Sequence, residues 1–426
     1  MLQEAETEPS VREAAASWFR DQWDPERPLG DWWELFARSG WAYPTLPRRW
    51  FGLDLPVKLG AAVNDERRRV GAAAPPTTIG ARVLAPLLLD YGTDEQKERY
   101  LFDTLAGKVV WCELFSEPGY GSDLAGLATR AVRDGDDWVL NGQKVWSSGA
   151  QIARWGLVVV RTDPDVPKHE GLTCFVVDMD ADGIDVRPLR VMNGEEKFNE
   201  VFFTDVRVPH DNVLGVVHRG WAVTKATLAL ERHLFGPGAG GGGLGDNTKL
   251  PHLDEPAGVV AAVERAGQQR GAMVSGTGAM ELIRALLARF GGADDPVIRQ
   301  DAARLHCLLE TARYTNLRTR AAASRGGQPG PEASILKLLT GKATIVAREL
   351  ALRLEGPHGT LAAPDATFDA IAQKLTLTSP SMAIMAGTDE IQRNIIGERV
   401  LGLPAEPAPS NTTTWRELYT TQSRNR

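Results

Sequence analysis

A glycine-rich loop rimmed by hydroxyls is the first part of the sequence that could bind a ligand. It spans residues 116–123 and reads SEPGYGSD. Glycine lets backbone N–H groups approach a flat or anionic ligand closely, and Ser116 and Ser122 add hydroxyls. The loop is not a dinucleotide-binding fingerprint, because the third glycine and a surrounding βαβ unit are both missing. Taken alone, it is equally typical of a tight turn at the start of a β domain.

A carboxylate in an apolar helical segment could take a proton from a substrate. Glu231 lies in residues 224–232, TKATLALER, and its neighbours there are largely apolar. Partial burial disfavours the charged form of a carboxylate, so the pKa of Glu231 should rise toward a value that suits a general base. The alternative is a structural Glu231 paired with Arg232 or with a neighbouring chain.

The elements that must position these residues follow the order helices, strands, helices. Apolar residues recur at helical spacing in 11–18 and 79–89, and Thr93 is suited to cap a helix that starts at Asp94. Asn141-Gly142 between two apolar runs predicts a hairpin turn. Further strands are predicted over 155–161, 172–179 and 198–208. Helices are predicted over 221–235, 276–290, 297–325, 333–355 and 366–382, with a last one from near Thr388 to Gly402.

This order indicates an α+β chain with three successive regions and a tail. The predicted regions are helical (1–109), a central β-barrel or sandwich (110–216), helical again (217–404) and a polar tail (405–426). A glycine-rich insertion at 236–256 interrupts the second helical region and has the composition of a flexible linker. The tail is expected to project or to dock loosely.

Composition excludes several classes of function. A net charge of −7 argues against a nucleic-acid binder, and no apolar run approaches the roughly 20 residues of a membrane span. The acidic start lacks the features of signal and transit peptides, so a cytoplasmic protein is expected. Cys112, Cys174 and Cys307 are scattered without CxxC spacing and are predicted to be buried reduced thiols. The histidines form no ligand pair, so no metal site is predicted.

Five segments, in chain order, resemble motifs of the acyl-CoA dehydrogenase family. They are 92–101 (GTDEQKERYL), 111–123 (WCELFSEPGYGSD), 141–150 (NGQKVWSSGA), 198–209 (FNEVFFTDVRVP) and 386–404 (AGTDEIQRNIIGERVLGLP). Their combination is highly specific. The resemblance implies an N-terminal helical domain, a central β domain and a C-terminal four-helix bundle, with FAD held between the β domain and the bundle.

The resemblance also implies which residues contact the flavin. Phe115 and Ser116 match isoalloxazine contacts, and Trp146 and Ser148 match positions that line the flavin face and its N5 edge. Thr388 lies near a helix N-terminus, where phosphate binding is favoured. The implied cofactor-binding residues are Phe115, Ser116, Gly121, Ser122, Trp146, Ser148, Arg289, Phe290, Gly356, Gly359, Thr388 and Glu390. The implied substrate-binding residues are Ser122, Arg232, Ala386 and Gly387.

The catalytic base is the main point of variation. In many family members a glutamate stands at the position of Ala386 and removes the α-proton, which an alanine methyl cannot do. One branch, which includes isovaleryl-CoA dehydrogenases, has its glutamate at the position of Glu231 and Ala or Gly before the Gly-Thr. The resemblance therefore implies a dehydrogenase that forms a trans-2-enoyl-CoA, with Glu231 as base and hydride transfer to flavin N5. It also implies an electron-transfer flavoprotein as acceptor and a homodimer or homotetramer.

Two departures from the family pattern keep alternatives open. The family's R-x-x-F-G has Leu287 at the arginine position, for which Arg289 is the candidate substitute. The spacing from Arg232 to Phe290 is about twice the usual one, either as a surface insertion or as a loop that reshapes the acyl pocket. Residues 356–359 (GPHG) resemble the Gly-rich turn near the partner's flavin, with His358 as a structural residue.

Two other functions therefore remain alongside the dehydrogenase. One is a non-catalytic chain of a heteromeric assembly such as a heterotetramer, which Ala386 and Leu287 favour. The other is a flavin oxidase or monooxygenase on the same fold, because reactivity with oxygen depends on solvent access rather than on a motif. The sequence does not define the acyl group of the substrate.

Overall fold

A computed structural model describes residues 7–235, 252–271, 278–323, 331–362, 364–405, 407 and 412–424. Its helices are α1 (Glu8–Gln22), α2 (Leu29–Ser39), α3 (Val57–Val70), α4 (Ala85–Tyr91), α5 (Asp94–Leu105), α6 (Gly220–Phe235), α7 (Ala257–Gly271), α8 (Gly278–Phe290), α9 (Pro296–Ala323), α10 (Glu332–Glu355), α11 (Ile371–Thr378), α12 (Asp389–Ile395) and α13 (Trp415–Arg424). The strands are β1 (Trp111–Leu114), β2 (Arg130–Asp134), β3 (Asp137–Lys144), β4 (Trp155–Arg161), β5 (Leu172–Asp178), β6 (Ile184–Leu189), β7 (Phe198–Pro209) and β8 (Val213–Leu214). The predicted α+β order of helices, strands and helices is confirmed.

Capping residues define the helices of the N-terminal region. Thr93 caps α5 as predicted: its hydroxyl accepts the N–H of Gln96, and the Gln96 side chain accepts the N–H of Thr93. This reciprocal pair satisfies two donors that the first turn leaves free. The core of α1–α3 is aromatic, with Trp32 and Phe36 stacked at a centroid distance of 5.0 Å.

The strands form one mixed sheet in the order β6-β7-β3-β2-β4-β5-β8, with β1 parallel to β4. The predicted hairpin at Asn141-Gly142 is wrong, because both residues lie inside β3, where the pairing with β7 shifts register. The turn between β2 and β3 lies at Gly135-Asp136 instead, and the Asp134-Gly135 dipeptide carried the signal for it. Gly142 is needed for close approach: a Cβ there would lie 2.4 Å from the Thr129 hydroxyl.

The C-terminal region is a bundle built around α10, which packs against α6, α8, α9, α11 and α12. Thr388 caps α12 as predicted, since its hydroxyl accepts the N–H of Ile391 at 3.3 Å. A π-helical turn (Ile396–Val400) follows α12, and Gly402 ends it in the left-handed conformation at φ 70°.

The insertion predicted at 236–256 falls partly outside the described residues, since 236–251 are not among them. Its described part, 252–256, and the start of α7 pack against the N-terminal helices. The N–H groups of Leu29 and Gly30 donate to the carbonyls of Glu255 and Leu253 at 2.8 and 2.9 Å. Ala257 of α7 is fully buried in the aromatic core of α1–α3. The described part of the long connection between α6 and α8 is therefore neither a free surface loop nor a part of the bundle core.

The tail also differs from its prediction, because α13 is docked on the β domain through specific contacts. The indole N–H of Trp415 donates to the Gly126 carbonyl at 2.8 Å, and the Arg161 guanidinium lies over the ring at 5.0 Å. The backbone N–H groups of Trp415 and Arg416 donate to the β4–β5 connection. An aromatic anchor in an otherwise polar segment accounts for the docking.

Three further predictions concern the whole chain. Cys112 and Cys174 are buried thiols as predicted, whereas Cys307 on the outer face of α9 is exposed, so that part of the prediction is wrong. Within the described ranges no group of His, Cys, Asp and Glu could hold a metal ion. In the same ranges no helix is both long and apolar enough to cross a membrane.

Candidate active site

Strand β1 presents an acid to the helical side of the sheet. Successive side chains of a strand point to opposite faces. Trp111 lies in the core shared with Leu228 and Leu230 of α6, whereas Cys112 lies in the inner core of the sheet. Glu113 shares the face of Trp111 and therefore points toward α6.

The carboxyl of Glu113 meets the carboxyl of Glu231 on α6. Burial raises the pKa of Glu113 well above the usual range, and the charge of Glu231 and a hydrogen bond with it raise it further. The Oε1 atom of Glu113 is buried and has no hydrogen-bond partner among the described residues. Glu113 was missed by the sequence analysis. The sequence pattern that could have indicated it is an acid placed between two aromatic residues, at every second position, in the run WCELF.

A buried ion pair holds the glycine-rich loop. The Lys144 ammonium donates to the Phe115 carbonyl at 3.0 Å and to Glu117 Oε1 at 2.9 Å. The Glu117 carboxylate also accepts the N–H groups of Ala128 and Thr129 at 2.7 and 2.9 Å. Burial alone would raise the pKa of Glu117, but Lys144 and the N–H donors hold it below its usual range. This pair fixes the backbone next to Phe115 and Ser116.

Trp146 stands out as an exposed aromatic beside that loop. Its side chain is 54% exposed, its φ is +64°, and Phe198 meets it edge-on at 5.8 Å. The N–H of Val145 donates to the Ser116 carbonyl at 2.9 Å, which joins the two motifs. A large aromatic held outward on a rarely adopted backbone conformation is a candidate ligand platform.

The polar groups around this platform are free to receive a ligand. Within the described chain no hydrogen bond is made by the hydroxyls of Ser116, Ser122 and Ser148. Gly121 is exposed, and a Cβ added there would meet no atom within 4 Å. These residues add small hydroxyls and open backbone to the two joined motifs, and such groups are compatible with a flavin and its phosphates.

The C-terminal motif contributes a strained turn before α12. Ala386 and Gly387 have φ values of 54° and 86°, and the buried Gln392 amide donates to the Ala386 carbonyl at 2.9 Å. Glu390 is exposed and bonds Arg393 at 3.1 Å. Ala386 offers no acid, so the turn itself provides no proton acceptor at that position.

The predicted residues of α8 and α10 form a cluster of their own. Phe290 lies 5.3 Å from the His358 ring, and the Arg289 guanidinium lies over Phe290 at 5.6 Å. Gly356 has a φ of +53° and Gly359 packs against Leu352, so the GPHG segment makes a tight turn there. The backbone of Arg232 lies in α6, but its side chain is outside the described residues.

Comparison with known proteins identifies the family. Residues 4–108, 112–206 and 260–401 match the N-terminal, middle and C-terminal domain models of acyl-CoA dehydrogenases. The chain is 35% identical to acyl-CoA dehydrogenase IpdE1 of Mycobacterium tuberculosis over 88% of both chains. It belongs to the acyl-CoA dehydrogenase family.

Other members of the family extend the comparison. The chain is 37% identical to acyl-CoA dehydrogenase FadE34 of M. tuberculosis over 75% of its own length, but it spans only 39% of that relative. Two solved structures have about equal similarity to this chain. They are the ChsE4–ChsE5 complex of M. tuberculosis (26% identity, TM-score 0.67, 95% of this chain and 100% of that one) and a structure titled Tcur3481-Tcur3483 steroid ACAD (25%, 0.68, 95% and 100%).

Membership of the family confirms the predicted fold class and oxidoreductase class. Members of the acyl-CoA dehydrogenase family are oxidoreductases that generally bind FAD. The roles of individual residues, the substrate and the partners are separate questions for this chain.

Proposed function

We propose that this protein is an FAD-dependent acyl-CoA dehydrogenase that converts an acyl-CoA thioester to the trans-2-enoyl-CoA. The observation that carries the proposal is the carboxyl of Glu231, which α6 holds against Glu113 in the helical-side core. Ala386 leaves the position of the usual base in the C-terminal motif without an acid, so Glu231 is the carboxylate proposed as base. A residue with a buried partner and a partly buried side chain suits proton abstraction near neutral pH.

The reaction breaks two C–H bonds and forms one C=C bond. The Glu231 carboxylate takes the α-proton, and the hydrogen on the β-carbon leaves with its electron pair. Bound FAD would supply the hydride acceptor for this step. The backbone N–H of Ala386 is proposed to polarise the thioester carbonyl, which stabilises the charge that develops as the α-proton leaves.

The chain's own residues would hold FAD in two places. Trp146, Phe115 and the hydroxyls of Ser116 and Ser148 would contact the ring system. Ser122, Gly121, Thr388 and Glu390 would contact the remainder of the cofactor. Arg289, Phe290, Gly356 and Gly359 lie in their own cluster on the bundle, and we propose that they reach the FAD of a neighbouring subunit.

A hetero-oligomer is proposed alongside the homodimer or homotetramer. Leu287 removes the arginine of the R-x-x-F-G motif, so a second, related chain could complete the cofactor site. The ChsE4–ChsE5 structure is titled as a complex, which supports this arrangement in the family. An electron-transfer flavoprotein is proposed as acceptor. A polycyclic acyl group is proposed as substrate, because the related Tcur3481-Tcur3483 protein is a steroid ACAD.

The test is an anaerobic titration of the purified flavoprotein with straight-chain, branched and steroid side-chain acyl-CoAs. Flavin absorbance should fall with at least one substrate in the wild type and should stay unchanged in Glu231→Gln, with FAD still bound. Glu264→Gln is the matched control, because Glu264 is also a partly buried acid on a helix. Its carboxylate accepts the N–H of Ala74 in the N-terminal region. Bleaching by Glu231→Gln at the wild-type rate would refute the role of Glu231.

Subunit composition has its own measurement. The protein should be expressed alone and together with related chains encoded beside it, and the complexes should be weighed by native mass spectrometry. Stoichiometric copurification with gain of FAD supports the hetero-oligomer. A homo-oligomer that retains FAD and bleaches alone would contradict it.

A further inference from the structure

We infer that Glu113 is a positioning residue that keeps a proton and donates it, as an O–H···O hydrogen bond, to the Glu231 carboxylate. The inference rests on the proposed role of Glu231 as base. It adds a second carboxyl whose task is to hold and tune that base.

Strand geometry fixes the direction of the Glu113 side chain. β1 pairs with β4 in parallel, with Glu113 opposite Leu157, and the strand cannot turn Glu113 to the other face without moving Trp111 out of its core as well. The same face receives Leu228 and Leu230 of α6. The residue that follows Leu230 is Glu231, so the packing of α6 brings the two carboxyls together.

No cation among the residues that the structure describes contributes to the electrostatics of Glu113. Arg82, on the π-helical turn Gly80–Leu84 that packs against β1, interacts electrostatically with Tyr43. Burial raises the pKa of the Cys112 thiol, which stays neutral and points to the other face. Among the described residues, Glu231 is thus the ionisable group that faces Glu113 from a neighbouring element.

Two carboxyls in hydrogen-bond contact in a core cannot both carry a charge without a large cost. Glu113 is the partner that keeps the proton, because burial and Glu231 both raise its pKa. Glu231 is only partly buried. In the proposed arrangement it is therefore the carboxyl that carries the negative charge. When Glu231 then takes the substrate α-proton, both carboxyls become neutral, and the extra proton leaves from the more exposed Glu231.

This arrangement predicts different effects of two Glu113 substitutions on the pKa of Glu231. Glu113→Gln keeps a neutral N–H donor toward Glu231 and should retain its orientation and its pKa. Glu113→Leu removes the donor, so the Glu231 carboxylate loses a hydrogen bond and its pKa should rise by about one unit. At a given pH on the acidic limb, the rate of flavin bleaching should then be about tenfold lower than in the wild type.

The experiment measures the rate of anaerobic flavin bleaching against pH in the FAD-loaded protein. Glu113→Leu should move the acidic limb to higher pH, whereas Glu113→Gln and the control Cys112→Ala should leave it near the wild-type position. Cys112→Ala perturbs the same strand from its other face. A limb that moves to lower pH in Glu113→Leu, or that does not move, overturns the inference.

A second readout needs neither substrate nor activity. Infrared difference spectra between the wild type and each variant should be recorded at pH 8. They should show loss of the C=O band of a protonated carboxylic acid in Glu113→Gln and no such loss in Cys112→Ala. Retention of the full band in Glu113→Gln overturns the inference even where Glu113→Leu fails to fold. Bleaching by Glu231→Gln would instead refute the proposed base, so the two failures are distinguishable.

Discussion

Lys144 and Glu117 form a buried ion pair beneath the glycine-rich loop, with Nζ 2.9 Å from Oε1. The Lys144 side chain is fully buried, and burial lowers the pKa of its ammonium while Glu117 opposes that shift. Lys144 belongs to the 141–150 motif and Glu117 to the 111–123 motif. The pair therefore ties the loop that carries Ser116 and Ser122 to the strand that leads to Trp146.

Replacing Lys144 with Met should destabilise the fold by about 3–5 kcal/mol, because it leaves the Glu117 carboxylate buried without its cation. The loop should also lose its fixed position, so FAD should be retained poorly. Urea unfolding and the flavin-to-protein absorbance ratio measure the two effects.

An exposed pair next to the same loop is the control for Lys144→Met. Lys168 and Asp123 lie 2.6 Å apart, but both side chains reach solvent. Lys168→Met should therefore cost about 1 kcal/mol or less. Equal losses in the two variants would contradict the role given to burial.

Acid stability should depend on Glu117. Its pKa in the fold lies below the ordinary value of 4.5, so its contribution is fully present above about pH 4.5 and is lost as pH falls through the lowered pKa. In Glu117→Gln the free energy of unfolding should be lower than in the wild type at pH 5, and it should fall less steeply between pH 5 and pH 3. Asp165→Asn is the control, because Asp165 also has a lowered pKa but forms an exposed pair with Arg416. An unchanged slope in Glu117→Gln would contradict the prediction.

Local signals in the sequence predicted the elements well and their tertiary partners poorly. Thr93 and Thr388 cap helices as predicted because a cap depends on residues three positions apart. The turn at Asn141-Gly142 was wrong because a β-bulge uses the same dipeptide as a hairpin.

Long-range contacts explain the residues that the sequence left out. The Glu113–Glu231 contact joins positions on different elements, and no local pattern specifies which helix covers a given face of a strand. The docking of α7 on the N-terminal helices and of α13 on the β domain has the same cause.

Trp415 should anchor α13. Trp415→Ala removes the hydrogen bond to the Gly126 carbonyl, the contact with Arg161 and the stacking on Tyr419 at 4.9 Å. Cleavage before α13 should then become several-fold faster in limited proteolysis followed by mass spectrometry. Arg416→Ala, which removes an exposed pair with Asp165, should change the rate little. Equal rates in wild type and Trp415→Ala would show that the indole is not the anchor.

Helix α7 should stabilise the N-terminal region through its inner face. Ala261 is 2% exposed in the core of α1–α3, whereas Val263 on the same helix is 65% exposed. Ala261→Asp buries an unpaired carboxylate and should lower the free energy of unfolding by about 3 kcal/mol or more. Val263→Asp introduces the same charge on the outer face and should change it by about 0.5 kcal/mol at most. Urea unfolding of both variants at pH 7 measures the difference, and similar stabilities would mean that α7 does not dock on these helices in solution.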